Sequence, residues 1–255
     1  MSKFSEDKIG NVHSIETLGA FDGPGIRYVL FLQGCILQCK FCHNRDTWSK
    51  TTNKLMSVDE IINDYKKYRP FYKKGGITVS GGEATLQLPF LIQLFKECQK
   101  EGIHTCLDTS AGAFNLKALP KYDELLMYTD LLLLDIKHID NEKHLWLTGV
   151  PNLNILEFAK YLSYKNKPTI IRYVLLPEIN SSDEYLLRLR MFLNDLSNIV
   201  GIDILPYHKK GEVKWQKMGL IYPLPYTPEP SKDLVRHAQI ILKKDYKFMK
   251  NKISI

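Results

Sequence analysis

Gly34-Cys35-Ile36-Leu37-Gln38-Cys39-Lys40-Phe41-Cys42-His43-Asn44 places three of the chain's five cysteines in a C-x3-C-x2-C array. The array directly follows Tyr28–Gln33, an aliphatic and aromatic run that reads as a strand. Five cysteines in 255 residues are too few for a disulfide scaffold, and three of them this close together point to a metal site. Three thiolates can hold three irons of a [4Fe-4S] cluster, and the missing fourth ligand leaves one iron open to a substrate. Zinc held by the three cysteines and His43 is the alternative. His43 directly follows Cys42, which makes it awkward for both side chains to reach one tetrahedral ion, and closed zinc sites more often use two separated ligand pairs. Cys98 and Cys106 stand apart and read as core residues, because an unligated cysteine packs as a small hydrophobe.

Outward from this loop, short β-rich runs alternate with segments of helical period, the pattern of βα units around a parallel sheet. The expected strands are Tyr28–Gln33, Ile77–Ser80, His104–Asp108, Leu131–Asp135, Thr169–Val174 and Gly201–Pro206. Ser57-Val58-Asp59-Glu60 has the form of a capping box, and Val58, Ile61, Ile62 and Tyr65 share the face of the helix it opens. Similar stripes occur at Leu91, Leu94, Phe95 and Cys98, at Ile155, Phe158, Ala159 and Leu162, and at Leu186, Leu189, Leu193 and Leu196. The prolines of Tyr222–Pro230 suit an extended connection to a last helix over about Asp233–Asp245. The expectation is an α/β fold, a partial (β/α)6 barrel of parallel strands, in one domain over residues 1–255.

Polar groups gather where these strands end: Ser80-Gly81-Gly82-Glu83, Asp108-Thr109, Asp135-Ile136-Lys137 and His208, with Arg172 inside the fifth strand. In a parallel barrel such ends share one rim, which is where the chemistry of these folds is assembled. With 44% hydrophobic residues the chain can bury a sizeable core. No apolar run reaches the length of a membrane span, and the first residues lack the apolar run of a secretory signal, so neither membrane nor export is expected and the default is cytoplasmic. The net charge of +7 reads as solvated surface lysines, and no basic helix with interleaved aromatics points to nucleic acid.

The C-x3-C-x2-C array is the signature of the radical S-adenosylmethionine superfamily, and the resemblance extends further. Asp22-Gly23-Pro24-Gly25-Ile26-Arg27, Cys42-His43-Asn44-Arg45-Asp46-Thr47-Trp48, Ser80-Gly81-Gly82-Glu83, His104-Thr105-Cys106-Leu107-Asp108-Thr109, Leu134-Asp135-Ile136-Lys137 and Leu205-Pro206-Tyr207-His208 resemble successive blocks of the activating enzymes of pyruvate formate-lyase. Other activases of glycyl-radical enzymes carry a cysteine-rich insert after the first motif. Residues 49–76 hold no cysteine here, so no auxiliary cluster is expected. Two departures stand out: Ala84 where proline is common, and Glu178 where glycine is common.

The resemblance implies that Cys35, Cys39 and Cys42 ligate a [4Fe-4S] cluster and that S-adenosylmethionine is the second cofactor. It implies an oxidoreductase that makes a radical from that cofactor and sets a glycyl radical on pyruvate formate-lyase. Cofactor contacts are implied for Phe41, Cys42, His43, Gly81, Gly82, Glu83, Asp135, Ile136, Lys137, Arg172 and His208. Each has a plainer reading: a Gly-Gly pair marks a turn, a lone histidine is more often structural, and Arg172 could sit in a buried ion pair. Asp108, Thr109 and Asp135 resemble a monovalent-cation group, although they could equally be strand-end caps. Asp22 is a candidate for touching the incoming glycine loop, though its Gly-Pro-Gly turn also has a purely structural reading. A monomer served by an acidic flavodoxin-like or other low-potential electron donor completes the expectation; activation of a different glycyl-radical enzyme is the alternative.

Overall fold

A computed structural model of the chain describes residues 6–249. Its strands are β1 (Ile9–Gly19), β2 (Arg27–Leu32), β3 (Lys54–Ser57), β4 (Gly76–Gly81), β5 (Thr105–Thr109), β6 (Leu131–Asp135), β7 (Thr169–Leu175) and β8 (Ile199–Pro206). The helices are α1 (Val58–Tyr68), α2 (Leu88–Lys100), α3 (Leu119–Met127), α4 (Asn141–Thr148), α5 (Leu153–Tyr164), α6 (Asp183–Asn194), α7 (Glu212–Lys217) and α8 (Lys232–Lys243). The strands form one open sheet in the order β3-β1-β2-β4-β5-β6-β7-β8. β2 runs parallel to β4, β4 to β5, and β7 to β8, whereas β1 is antiparallel to both of its neighbours. The fold is α/β, a partial barrel.

All six expected strands are present, and β1 and β3 correct their number. β1 mixes Asn11, His13 and Glu16 with apolar residues and leaves much of its length part-exposed, so it lacks the solid apolar run of a strand covered on both faces. β3 is four residues at a sheet edge, with Leu55 exposed. β4 and β6 are the opposite case, buried along nearly their whole length.

The helices follow from their caps and stripes. Ser57 and Glu60 close the expected capping box of α1, at 3.2 and 2.7 Å, and Val58, Ile61, Ile62 and Tyr65 are all buried. Leu91, Leu94, Phe95 and Cys98 of α2 have no exposed surface. α8 starts where Ser231 accepts the Leu234 N–H and ends at Lys243, before Asp245 enters the left-handed region at φ 56°. Leu196 falls beyond the end of α6.

By its contacts the chain divides into two units, where the sequence alone suggests one domain. Among the described residues, the first runs through Ile36 and resumes over Thr47–Leu133; the second comprises Leu37–Asp46 and residues 134–249. The points of division lie inside the cysteine loop and inside β6, neither of which has the composition of a linker. Among the described residues, no helix is long and apolar enough to cross a membrane.

Candidate active site

In the first unit the loop leaving β2 is fixed through its backbone. Gly34 N–H donates to Thr47 O at 2.8 Å and Cys35 N–H to Trp48 O at 3.4 Å, so the segment after the loop returns to hold its start. Gly82 N–H donates to Leu32 O and Glu83 N–H to Gly34 O, which ties the end of β4 to the same loop. A Cβ on Gly82 would collide with the Gly34 carbonyl and stand 3.0 Å from the Cys35 Cβ; one on Gly81, at φ 130°, would collide with Leu32. The glycine pair is therefore required by the chain's own close packing beside Cys35.

Glu83 is the most tightly held side chain of this unit. It is 1% exposed. One carboxylate oxygen accepts Thr85 N–H at 3.0 Å, the Thr85 hydroxyl at 2.6 Å and the Thr109 hydroxyl; the other accepts Ser110 N–H at 3.0 Å and the Ser110 hydroxyl at 2.6 Å. Five donors converge on an acceptor-only group, and they join the end of β4 to the end of β5. Thr109, read as a cation ligand, gives its proton to Glu83 and accepts Ala111 N–H at 2.8 Å, leaving one lone pair. Asp108 accepts the Ser80 hydroxyl at 2.7 Å. Asp22 lies in the turn before β2, where its carbonyl accepts the Thr78 hydroxyl at 2.6 Å.

The second unit holds the rest of the cysteine loop. The carbonyls of Leu147 and Thr148, at the C-terminus of α4, accept Lys40 N–H at 2.9 Å and Gln38 N–H at 2.6 Å on either side of Cys39. Cys42 N–H closes a turn onto Cys39 O at 2.9 Å, and Asn44 N–H points to Cys42 Sγ at 3.3 Å. Trp215 of α7 donates its indole N–H to Cys42 O at 2.9 Å, and Lys214 reaches Asn44 and Asp46. His43 stacks on His208 with centroids 4.4 Å apart and donates from Nε2 to His208 O. Burial, the largest influence on it, holds the His43 pKa below the ordinary imidazole value.

Lys137 and Asp135 form a 2.8 Å ion pair, both largely buried, with the ammonium 5.7 Å from the Phe41 ring centre. Ile136 is fully buried, and its N–H donates to Arg172 O at 3.1 Å. Arg172 stands opposite Asp203 in the β7–β8 register. The Nδ1 atom of His208 is buried without a hydrogen-bond partner among the described residues. None of the five cysteines is in a disulfide, and Cys98 and Cys106 are fully buried as expected of core residues.

The Radical SAM superfamily model matches residues 29–189. A curated "Pyruvate formate-lyase-activating enzyme" of Staphylococcus epidermidis is 49% identical over 90% of this chain and 93% of its own length; its Staphylococcus aureus counterpart is 48% identical over the same shares. This chain belongs to the pyruvate formate-lyase-activating enzyme family of the radical SAM superfamily. Among solved structures, a domain of a pyruvate-formate lyase-activating enzyme from Bacteroides vulgatus matches with TM-score 0.55 at 28% identity, covering 66% of this chain and 92% of that one.

Membership in the radical SAM activating-enzyme family brings a [4Fe-4S] cluster and S-adenosylmethionine. The residues present fit both. Three cysteines outside any disulfide sit on a loop whose backbone is held from β4, α4 and Trp215. The partnerless ring nitrogen of His208 is a polar atom set to meet a ligand. Among the described residues, no three His, Cys, Asp or Glu side chains are gathered as a single-ion set. One zinc would hold its sulfurs about 4 Å apart, given bonds of about 2.3 Å, whereas thiolates of a four-iron cluster each bind a separate iron.

Several supports have no sequence motif that reveals them. Trp215 and Lys214 lie far along the chain from Cys42, and the Thr85 and Ser110 hydroxyls carry no distinctive spacing. Only the polarity of Ser80–Glu83, in an otherwise apolar region, hints that something there has to be held. Glu178 adopts φ 65°, in the left-handed region that favours glycine.

Proposed function

We propose that this chain activates pyruvate formate-lyase by setting a glycyl radical on it. The observation that carries the reading is the backbone-pinned three-cysteine loop in a chain 49% identical, over nine-tenths of its length, to a curated activating enzyme. Held by Cys35, Cys39 and Cys42, a reduced cluster with bound S-adenosylmethionine would supply one-electron cleavage of the sulfonium to methionine and a 5′-deoxyadenosyl radical, the species that would take a Cα hydrogen from a glycine of the partner.

The chain's own residues hold and shield that chemistry. Cys35, Cys39 and Cys42 are the proposed cluster ligands. Phe41, His43, Ile136 and His208 supply apolar and ring surface for the adenosyl group, and burial disfavours the charged form of His43. Gly81 and Gly82 present backbone close to Cys35, and Lys137 and Arg172 are cations for the carboxylate of the methionine half. Glu83 acts by positioning, because its carboxylate is occupied by five internal donors. Asp108, Thr109 and Asp135 are the proposed ligands of a monovalent cation, and Asp22 the contact to the partner's glycine loop.

The electron comes from an acidic flavodoxin-like protein. Lys209, Lys210, Lys214 and Lys217 crowd the segment whose Trp215 bonds the Cys42 carbonyl, and the chain as a whole carries +7. Activation by such a donor should slow as salt rises, since the screening length falls from about 30 Å at 0.01 M to about 10 Å at 0.1 M. We place the enzyme in the cytoplasm as a monomer.

The test is anaerobic purification followed by product analysis. The reading expects brown protein with about four irons and formation of methionine and 5′-deoxyadenosine. It also expects Cys39→Ala to lose iron and cleavage together. Colourless protein with stoichiometric zinc would reject it in favour of a zinc-stabilised module.

A further inference from the structure

At the start of the parallel strands lies a cavity of about 390 Å³, lined by Tyr65, Arg69, Tyr72, Lys73, Lys74 and His104 together with Gly75 and Gly102. It belongs to the first unit alone. β4 has six residues, which at about 3.3 Å each puts this end roughly 20 Å along the strand from the Gly82 end. The volume falls within the range of small-ligand sites.

Three features give the cavity its character. Two glycines, Gly75 and Gly102, line it, and a Cβ on Gly75 would collide with the Ile26 carbonyl. Its charge has one sign. No carboxylate lines it, Arg69 reaches outward to Glu101, and Lys73 and Lys74 are exposed with no hydrogen bond or ion pair among the described residues. Behind the wall stands Arg27, 0% exposed.

Arg27 donates to the Thr78 hydroxyl and to the carbonyls of Pro24, Ile77 and His104, so its hydrogen-bond acceptors among the described residues are neutral. Asp130 and Asp22 act on it electrostatically, and one Asp130 carboxylate oxygen accepts from Thr105. A fully buried arginine without a paired carboxylate is rare, because burying a cation costs heavily unless an anion compensates it. Its Nη2 also lies 3.3 Å from His104 Nδ1. A guanidinium has only donors, so this contact favours the tautomer in which Nδ1 accepts and Nε2 carries the ring proton, in a residue that lines the cavity.

We propose that this cavity is a phosphate-binding site, taking the phosphate group of a small metabolite or free inorganic phosphate. Lys73 and Lys74 supply the charge, His104 a ring N–H, and Arg27 the positive field behind it. Arginine and lysine donors match a multivalent oxyanion better than they match a neutral ligand. None of the lining residues is proposed for the cluster or for S-adenosylmethionine, so the two readings fail separately.

Calorimetric titration of the anaerobically purified holoenzyme with inorganic phosphate, glucose 6-phosphate and citrate, at matched ionic strength, tests it. Both phosphates should saturate one site. Lys73→Ala with Lys74→Ala should weaken them at least tenfold while leaving S-adenosylmethionine cleavage unchanged, and Lys232→Ala with Lys244→Ala should leave phosphate affinity unaltered. Tighter glucose 6-phosphate assigns the site to an organic ester, and equal affinities assign it to free phosphate. No saturable phosphate binding, equal weakening in both double variants, or binding of citrate alone would overturn the proposal.

Discussion

Replacing Glu83 by glutamine separates a positioning role from a cofactor contact. The carboxylate takes two backbone N–H groups, one on each oxygen, and three hydroxyls. An amide presents one acceptor oxygen and one donor nitrogen, so in one orientation Ser110 N–H loses its acceptor and in the other Thr85 N–H does. A buried donor left without a partner costs about 1–3 kcal/mol, and the surviving bonds fall from the charged class, about 1.5–3 kcal/mol each, to about 1. The expected loss is about 3 kcal/mol, a large part of a typical total of about 5–15. At about 2–4 °C per kcal/mol for a chain of this size, the cluster-free protein should melt about 6–12 °C lower. Anaerobic thermal unfolding followed by circular dichroism, without S-adenosylmethionine, reads the effect. A fall of less than about 2 °C, with S-adenosylmethionine affinity weakened instead, would refute the positioning argument and return Glu83 to the cofactor.

Gly82→Ala should displace the loop at Cys35, because the new methyl collides with the Gly34 carbonyl; after reconstitution its iron content should fall well below that of the unmodified chain. Trp215→Phe removes the donor to the Cys42 carbonyl, for a loss of about 1–2 kcal/mol and a melting point about 2–8 °C lower; an unchanged melting point would show that the bond carries nothing. His144 is fully buried, and burial, the main cause, lowers its pKa to about 4 from 6.5. The unfolded chain therefore takes up the proton first, so stability is complete above about pH 6.5 and falls by up to about 3 kcal/mol as pH approaches 4. In the cluster-free protein, His144→Gln should flatten the melting-point slope between pH 6.5 and 4.5, and an equal slope would count against it.

Much of this was legible in the chain because apolar runs and caps act locally. Leu131–Leu134 and Tyr28–Leu32 are buried strands with no polar interruption, and Ser57 with Glu60 announces the start of α1 at three-residue spacing. β1 escaped because its part-exposed length mixes polar and apolar residues, and β3 because a four-residue edge strand needs little apolar content. The site divides in the same way. The cysteine array, the glycine pair and the strand-end polar residues declare themselves by spacing and composition. What those groups touch does not: Glu83 turns inward to Thr109 and Ser110, Lys137 pairs with Asp135, and Trp215 meets Cys42 from 173 residues away. Such contacts depend on which strand ends and loops the fold brings together, and no local propensity encodes that.

The central claim is hydrogen abstraction from a glycine of pyruvate formate-lyase, and electron paramagnetic resonance on that partner tests it most directly. Reconstituted enzyme, S-adenosylmethionine and a strong reductant should produce a doublet signal on the partner. With glycine deuterated at Cα, the doublet should collapse and deuterium should appear in the 5′-deoxyadenosine released. Cofactor cleavage at full rate with neither the radical nor the label transfer would contradict the account.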